Sequence, residues 1–101
     1  MATKITLILD NPADPGIFEA EYPALLERAA ALPGLRRLES AKVFPKEDGT
    51  ATPAHRTLDL YFDDYAAASR AVTTPEAGEL FGQLGAMNAA FTGLFLDVEE
   101  K

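Results

Sequence analysis

The sequence predicts an α+β fold in which four strands form one antiparallel sheet and helices cover one of its faces. Four stretches along the chain are rich in β-forming residues, and the third alternates clearly between apolar and polar side chains. Apolar residues at helical spacing fill the interval between the first two stretches and the interval between the last two. The 101-residue chain contains no linker, repeat or low-complexity tract, so we predict one domain spanning residues 1–101.

The predicted strands span residues 4–10, 35–44, 55–62 and 91–98. In the third strand, Leu58 and Leu60 alternate with Asp59 and Tyr61. Successive side chains of a strand point to opposite faces, so this strand has one apolar and one polar face. In the first strand Ile5, Leu7 and Leu9 share one face and Thr6 and Ile8 the other, whereas both faces of the second strand are mixed.

The first predicted helix spans residues 17–31. Asp14 is placed to cap its start, and Pro33 and Gly34 end it. Pro23 falls inside the pattern, so it either kinks the helix or divides the segment into a turn and a second helical piece.

The second helical region is broken in two. Residues 65–72 follow a cap at Asp63 or Asp64, and residues 75–90 follow a cap at Thr74. We expect the apolar stripe of the later helix to lie in the core; its members are Leu80, Phe81, Leu84 and Met87.

The resulting order, β-α-β-β-α-β, is the ferredoxin-like arrangement. The sheet face turned away from the helices is predicted to carry a mixed set of side chains: Thr6, Ile8, Arg37, Glu39, Asp59, Tyr61 and Phe95. Such a face is too apolar for water and too polar for a dry core. We therefore predict a homodimer that pairs these faces around a partly polar cavity able to bind a small organic molecule.

Composition excludes several other classes of function. The net charge of -7 disfavours binding to nucleic acid and to anionic membranes, and no apolar run approaches the length of a membrane span. One histidine and no cysteine make a metal site improbable, and no glycine-rich phosphate loop follows the first strand, so we predict no metal and no cofactor. The absence of cysteine and of a signal sequence predicts a cytoplasmic protein.

Several short stretches of the chain resemble the EthD-like family of the dimeric α+β barrel superfamily. They are Ile5-Thr6-Leu7-Ile8, Asn11-Pro12-Ala13-Asp14-Pro15, Phe18-Glu19-Ala20-Glu21-Tyr22, Leu32-Pro33-Gly34-Leu35-Arg36-Arg37-Leu38-Glu39, Ser69-Arg70-Ala71 and Thr74-Pro75-Glu76-Ala77. The resemblance implies a dimeric α+β barrel linked to the degradation of xenobiotics and ethers or to polyketide tailoring. Its members include accessory proteins, so it implies either a cofactor-independent enzyme of the monooxygenase or cyclase type or a non-catalytic homodimer.

One departure from the family pattern weakens the enzymatic alternative. The family commonly carries a histidine and then a proline about one helical turn after the tyrosine that corresponds to Tyr22. Here that region reads Pro23-Ala24-Leu25-Leu26-Glu27 and has no histidine.

Three side chains are the predicted catalytic candidates. Asp59 and Tyr61 share one strand face, where a carboxylate and a phenol would position or deprotonate a small substrate; alternatively they belong to a polar dimer interface with Asp59 paired to an arginine. His55 is the only histidine and is a candidate acid or base at the mouth of the cavity, or else a solvent-exposed residue at the end of a loop.

The remaining candidates are predicted to bind the substrate. Arg37 is placed either to clamp a ligand carboxylate or to pair with Glu39 in a structural network. Tyr22 is either a cavity residue or a core residue with a hydrogen-bonded hydroxyl. Thr6 and Phe95 complete the predicted lining of the cavity.

Overall fold

A computed structural model describes residues 2–100. The elements follow the predicted order: β1 Thr3–Leu9, α1 Pro15–Ala30, β2 Arg37–Lys42, β3 Arg56–Phe62, α2 Tyr65–Ala71, α3 Pro75–Ala86 and β4 Phe91–Asp97. The strands lie in the order β2-β3-β1-β4, and every neighbouring pair is antiparallel. The predicted ferredoxin-like α+β fold is confirmed.

Helix α1 runs through Pro23 as one helix, so of the two alternatives the division into a turn and a second helical piece is wrong. Its start is built as expected, because Asp14 Oδ1 accepts the Ile17 N–H at 3.1 Å and Pro15 is the first helical residue. Pro23 is exposed, so the helical carbonyl that loses its partner there can bond to water instead.

Helices α2 and α3 are each capped by one of the predicted residues. Asp64, and not Asp63, accepts the Ala67 N–H at 2.8 Å, while Thr74 accepts the Ala77 N–H at 3.2 Å. Helix α3 ends at Ala86, four residues before the predicted end, and Asn88 leaves it with a positive φ of 52°.

The core lies between the helices and one face of the sheet. Its largest fully buried side chains are Phe62, Leu7, Leu9, Leu25, Leu58, Leu60, Leu80 and Leu84. Phe81 was predicted to join them but is 37% exposed and stacks on Phe91 with ring centres 5.8 Å apart. It follows Leu80 by one position, about 100° around the helix, and so points past the edge of the core.

The strand register sorts the side chains onto two faces, because directly opposite residues of antiparallel strands point the same way. We call the face turned away from the helices the open face. Three rows of opposite residues cross it from β2 to β4: Arg37, Tyr61, Lys4, Leu96; then Glu39, Asp59, Thr6, Leu94; then Ala41, Thr57, Ile8, Thr92.

Phe95 does not lie on the open face, and that prediction is wrong. It is opposite Ile5, a core residue, and its ring packs against Tyr65 of α2 at 5.4 Å. Strand β4 carries apolar side chains on both faces, so alternation alone does not reveal which face packs against the helices.

Candidate functional site

The polar side chains of the open face form one network, which we call the open-face network. Its members are Lys4, Thr6, Arg37, Glu39, Asp59 and Tyr61. The register therefore brings together five of the eight predicted site residues. Lys4 is the member that sequence reasoning missed, although its alternation with Ile5 already put it on the polar face of β1.

Asp59 lies near the centre of the open face. Its Oδ1 accepts a hydrogen bond of 2.5 Å from the Thr6 hydroxyl and lies 3.7 Å from the Lys4 ammonium. Its partner is thus a lysine and not the predicted arginine. The second carboxylate oxygen, Oδ2, bonds to none of residues 2–100 and is not sealed from solvent, so it remains an available acceptor.

Tyr61 and Glu39 form the second part of the network. The Tyr61 hydroxyl donates to Glu39 Oε1 at 2.7 Å, and the Arg37 guanidinium pairs with Glu39 Oε2. The hydrogen bond from Tyr61 lowers the pKa of Glu39, and the same bond raises the pKa of Tyr61. Tyr61 is therefore a neutral hydrogen-bond donor at neutral pH and is poorly suited to act as a base.

The β4 side of the open face is apolar. Leu94 is 41% exposed, and Leu96 and Ile8 are half-buried. The open face is thus divided into a charged half, which extends from β2 and β3 to Lys4 of β1, and an aliphatic half over β4.

A second cluster lies on the opposite side of the sheet, beneath α1. We call it the helix-side cluster; its members are Glu19, Tyr22, Ser40, His55 and Arg56. It contains two of the predicted site residues, Tyr22 and His55. The predicted set is therefore not one site: the sheet separates Tyr22 and His55 from Asp59 and Tyr61.

Glu19 is the centre of the helix-side cluster. Arg56 donates two hydrogen bonds to it, from Nε at 2.8 Å and from a terminal nitrogen at 2.6 Å, and His55 Nε2 lies 3.1 Å away. The Arg56 hydrogen bonds, and then that of His55, outweigh partial burial and lower the pKa of Glu19 from 4.5 to about 2. Sequence reasoning missed Glu19 and Arg56, although Glu19 lies three residues before Tyr22 on the same side of α1.

His55 is not an exposed loop residue, and its side chain lies on the helix side of the sheet and not on the open face. Its side chain is only 13% exposed and meets the Phe18 ring edge-on at 5.1 Å. A carboxylate only accepts hydrogen bonds, so Nε2 carries the proton toward Glu19 and the neutral ring presents Nδ1 as an acceptor. No described polar side-chain atom is both buried and unpaired, so Nδ1 is not sealed from solvent and is left available as an acceptor.

Tyr22 fits the prediction of a core residue with a bonded hydroxyl. It is 4% exposed, its hydroxyl lies 2.7 Å from Ser40 Oγ, and the Arg56 guanidinium lies 4.1 Å from its ring centre. These contacts fix Arg56 in place over Glu19.

Three further observations concern metal binding, membrane-spanning helices and surface cavities. Residues 2–100 contain no group of three or more acidic or histidine side chains that could hold a metal ion. No helix within these residues is long and apolar enough to cross a membrane. Two surface cavities, of about 310 and 210 Å³, are lined by residues outside the predicted set.

Comparison with known proteins shows which class of fold this chain shares. No family model matches the chain. Its fold is that of dimeric ferredoxin-like proteins, such as one of unknown function from Jannaschia sp., with a TM-score of 0.72, 22% identity, and coverage of 97% of this chain and 100% of that one.

Two solved structures with this fold belong to proteins of a stated family or activity. An ethyl tert-butyl ether D (EthD) family protein from Bacillus halodurans superposes with a TM-score of 0.86 at 18% identity, covering 98% of this chain and all of that one. SnoaB, a cofactor-independent oxygenase from Streptomyces nogalater, gives 0.71 at 14% identity, covering 99% and 95%. The predicted likeness to EthD-like proteins is thus confirmed at the level of the fold.

One sequence relative spans nearly the whole chain. It is an uncharacterized 11.0 kDa protein in the thcB-thcC intergenic region of Rhodococcus erythropolis, 29% identical over 103 residues, covering 95% of this chain and 94% of that protein.

Proposed function

We propose that the protein is a cytoplasmic homodimer that pairs its open faces and binds a small organic molecule between them. The observation that carries this proposal is the divided open face, which joins a charged half to an aliphatic half. A ligand with an apolar body and one hydroxyl group would match both halves.

The exposed area of the monomer supports pairing. The chain exposes 6295 Å², whereas a compact protein of 10.9 kDa exposes about 5,600 Å². The excess of roughly 700 Å² is close to the ~800 Å² that each partner buries in a standard interface. The molecule is also a slab of 39 × 35 × 17 Å, as expected when one sheet face lacks a covering layer.

The charges of the open face also favour a homodimer. The chain as a whole carries a net charge of -7. On the open face, however, Lys4 and Arg37 balance Glu39 and Asp59. Two copies of this face therefore meet without a local excess of one charge.

Asp59 supports the choice of ligand. Its free Oδ2 is the acceptor that a ligand hydroxyl would use, and Leu94 lies two strands away in the same row. Bonding a neutral hydroxyl to a carboxylate is a charge-assisted contact and is stronger than a neutral one.

An enzymatic role would rest on a different residue. The fold is shared with a cofactor-independent oxygenase, and proton abstraction from an organic substrate is the step that a protein side chain can supply without a cofactor. In this chain His55 Nδ1 is the group fitted to accept that proton, with Glu19 holding the ring. An accessory homodimer without catalysis is the second candidate, favoured because Tyr61 and Glu39 already satisfy each other.

Binding can be tested by NMR titration with 1-naphthol, which has an apolar body and one hydroxyl donor. We expect the amide signals of Thr6, Asp59 and Leu94 to shift together. Asp59→Asn should weaken binding by about tenfold, because it removes a charged acceptor worth roughly 1.5–3 kcal/mol.

Asp97→Asn is the matched control. Asp97 is exposed at the end of β4, opposite Thr3 and on the other face of the sheet, so it should leave the affinity unchanged. Shifts confined to the helix side, or equal effects of the two variants, would contradict the proposed ligand site. A dimer with no response to 1-naphthol would favour the accessory homodimer.

A further inference from the structure

The larger surface cavity lies where the α1–β2 loop meets α2 and the start of α3. It measures about 310 Å³ and is lined by Pro33, Gly34, Ala67, Arg70, Ala71 and Thr74. We call it the helix-end cavity. None of its lining residues belongs to the open-face network or to the helix-side cluster, so the proposed function leaves it unexplained.

The walls of the helix-end cavity are almost entirely apolar. Pro33, Ala67 and Ala71 present only carbon side chains, and Gly34 presents none. A Cβ on Gly34 would meet the Phe62 ring at 3.9 Å, so the wall behind this glycine is the edge of the hydrophobic core. Such walls accept a hydrocarbon group and offer a polar group no partner.

Thr74 is not available to a ligand. Its hydroxyl donates to the Ala71 carbonyl at 2.7 Å and accepts the Ala77 N–H at 3.2 Å, which caps α3. Arg70 therefore carries the one uncommitted polar side chain among the lining residues.

Arg70 forms no ion pair within residues 2–100. Two carboxylates that precede α2 are committed to other groups: Asp63 takes two hydrogen bonds from Arg36, at 2.9 and 2.8 Å, and Asp64 caps α2. The other four arginines each pair with a carboxylate, so among residues 2–100 Arg70 is the arginine whose guanidinium fork is left open to an anion.

We propose that the helix-end cavity binds a small monocarboxylate, with its hydrocarbon part against Ala67 and Ala71 and its carboxylate on Arg70. The cavity volume is near the lower limit of about 300 Å³ for ligand pockets, which restricts the ligand to a short aliphatic or single-ring acid. This site is separate from the open face and does not depend on the homodimer.

Hexanoate and hexanol test this proposal as a matched pair of probes, since they share an alkyl chain and differ in charge. In NMR titrations we expect hexanoate to shift the amide signals of Gly34, Ala67 and Ala71. Arg70→Gln should weaken hexanoate at least about tenfold and leave the weaker hexanol unchanged, because it removes a charge-assisted contact only.

Two further variants complete the test. Arg28→Gln removes the same charge from an exposed arginine already paired with Glu79, so its hexanoate affinity should match that of the unaltered protein. Ala67 is a half-buried residue of α2 that lines the cavity. Ala67→Leu places a larger side chain there and should abolish binding of both probes.

Three results would overturn the proposal: equal losses in Arg70→Gln and Arg28→Gln, equal affinity for hexanoate and hexanol, or shifts outside the cavity. The open-face proposal stands or falls separately, because its own test uses the signals of Thr6, Asp59 and Leu94.

Discussion

Glu19 shows how one carboxylate organises a group of side chains. It meets three basic side chains: Arg56 is the strongest partner, His55 is next, and the Lys42 ammonium lies farther away, at 4.0 Å from Oε1. Its own side chain is 30% exposed, so water weakens these contacts without abolishing them. The helix-side cluster is thus a stabilising link between α1 and the start of β3 as well as a candidate proton site.

Because of Glu19, we expect the free energy of unfolding to depend on pH in the acidic range. Its pKa is about 2 in the folded protein and 4.5 ordinarily. The stabilisation is therefore complete above pH 4.5 and is lost as the pH falls toward 2. This difference in the pKa of Glu19 corresponds to about 3 kcal/mol of stabilisation of the folded protein. Solvent screening at this partly exposed site reduces the stabilisation to about 1–2 kcal/mol.

We therefore expect Glu19→Gln to lower the free energy of unfolding by about 1–2 kcal/mol at neutral pH and by much less near pH 2. Urea denaturation at the two pH values measures this difference. Glu27→Gln, at an exposed position of the same helix, is the control and should have little effect at either pH. A loss for Glu19→Gln that is independent of pH would show that packing, not charge, is responsible.

Residues inside regular strands were the most predictable from the sequence. Asp59 and Tyr61 alternate with core leucines, so their shared face followed from the pleat alone. His55 precedes the first residue of β3, where alternation no longer applies, and only the position of α1 decides that it faces Glu19. The sheet face of Phe95 could be assigned only from the pairing register of β4, because both of its neighbours, Leu94 and Leu96, are also apolar.

At the scale of elements, the junction between α1 and β2 depends on Gly34. This residue has a φ of +82°, a conformation that side-chain-bearing residues adopt at a cost of about 1–2 kcal/mol. The local pair Pro33-Gly34 already predicted where the helix ends. The same residues also line the helix-end cavity, which sequence reasoning could not foresee because α2 and α3 supply its other walls.

Gly34→Ala should lower the free energy of unfolding by about 1 kcal/mol or slightly more, because of backbone strain. The cost should not come from a clash, since a Cβ there meets the Phe62 ring at 3.9 Å, an ordinary van der Waals distance. Urea denaturation measures the change.

Gly82→Ala provides the opposite case within the same protein. Gly82 lies in the interior of α3, is exposed, and has free space where a Cβ would be placed. Alanine there should stabilise the protein by up to about 1 kcal/mol. If both alanines changed stability in the same direction, backbone conformation would not be the cause.

The secondary elements themselves were predicted well because their end signals are local. The caps at Asp14 and Thr74 and the break at Pro33-Gly34 each act within a few residues. Strand β4 illustrates the limit. Its apolar residues lie on both faces, so alternation within the strand does not show which face packs against the helices.

At the scale of the whole molecule, the open face should control association. Leu94 lies in the aliphatic half of this face and is 41% exposed in the monomer. Leu94→Glu would bury an unpaired charge if two open faces pack together, which costs several kcal/mol. We expect the variant to weaken dimerisation by at least about a hundredfold, as measured by sedimentation equilibrium.

Phe44→Glu separates this effect from a general loss of apolar surface. Phe44 is 89% exposed in the loop that follows β2, so the same change in charge there should leave the dimer intact. The melting temperature should rise with protein concentration in the unaltered chain and in Phe44→Glu, and should be independent of concentration in Leu94→Glu. A chain that stays monomeric at high micromolar concentration, or a Leu94→Glu variant that dimerises normally, would exclude pairing through the open face.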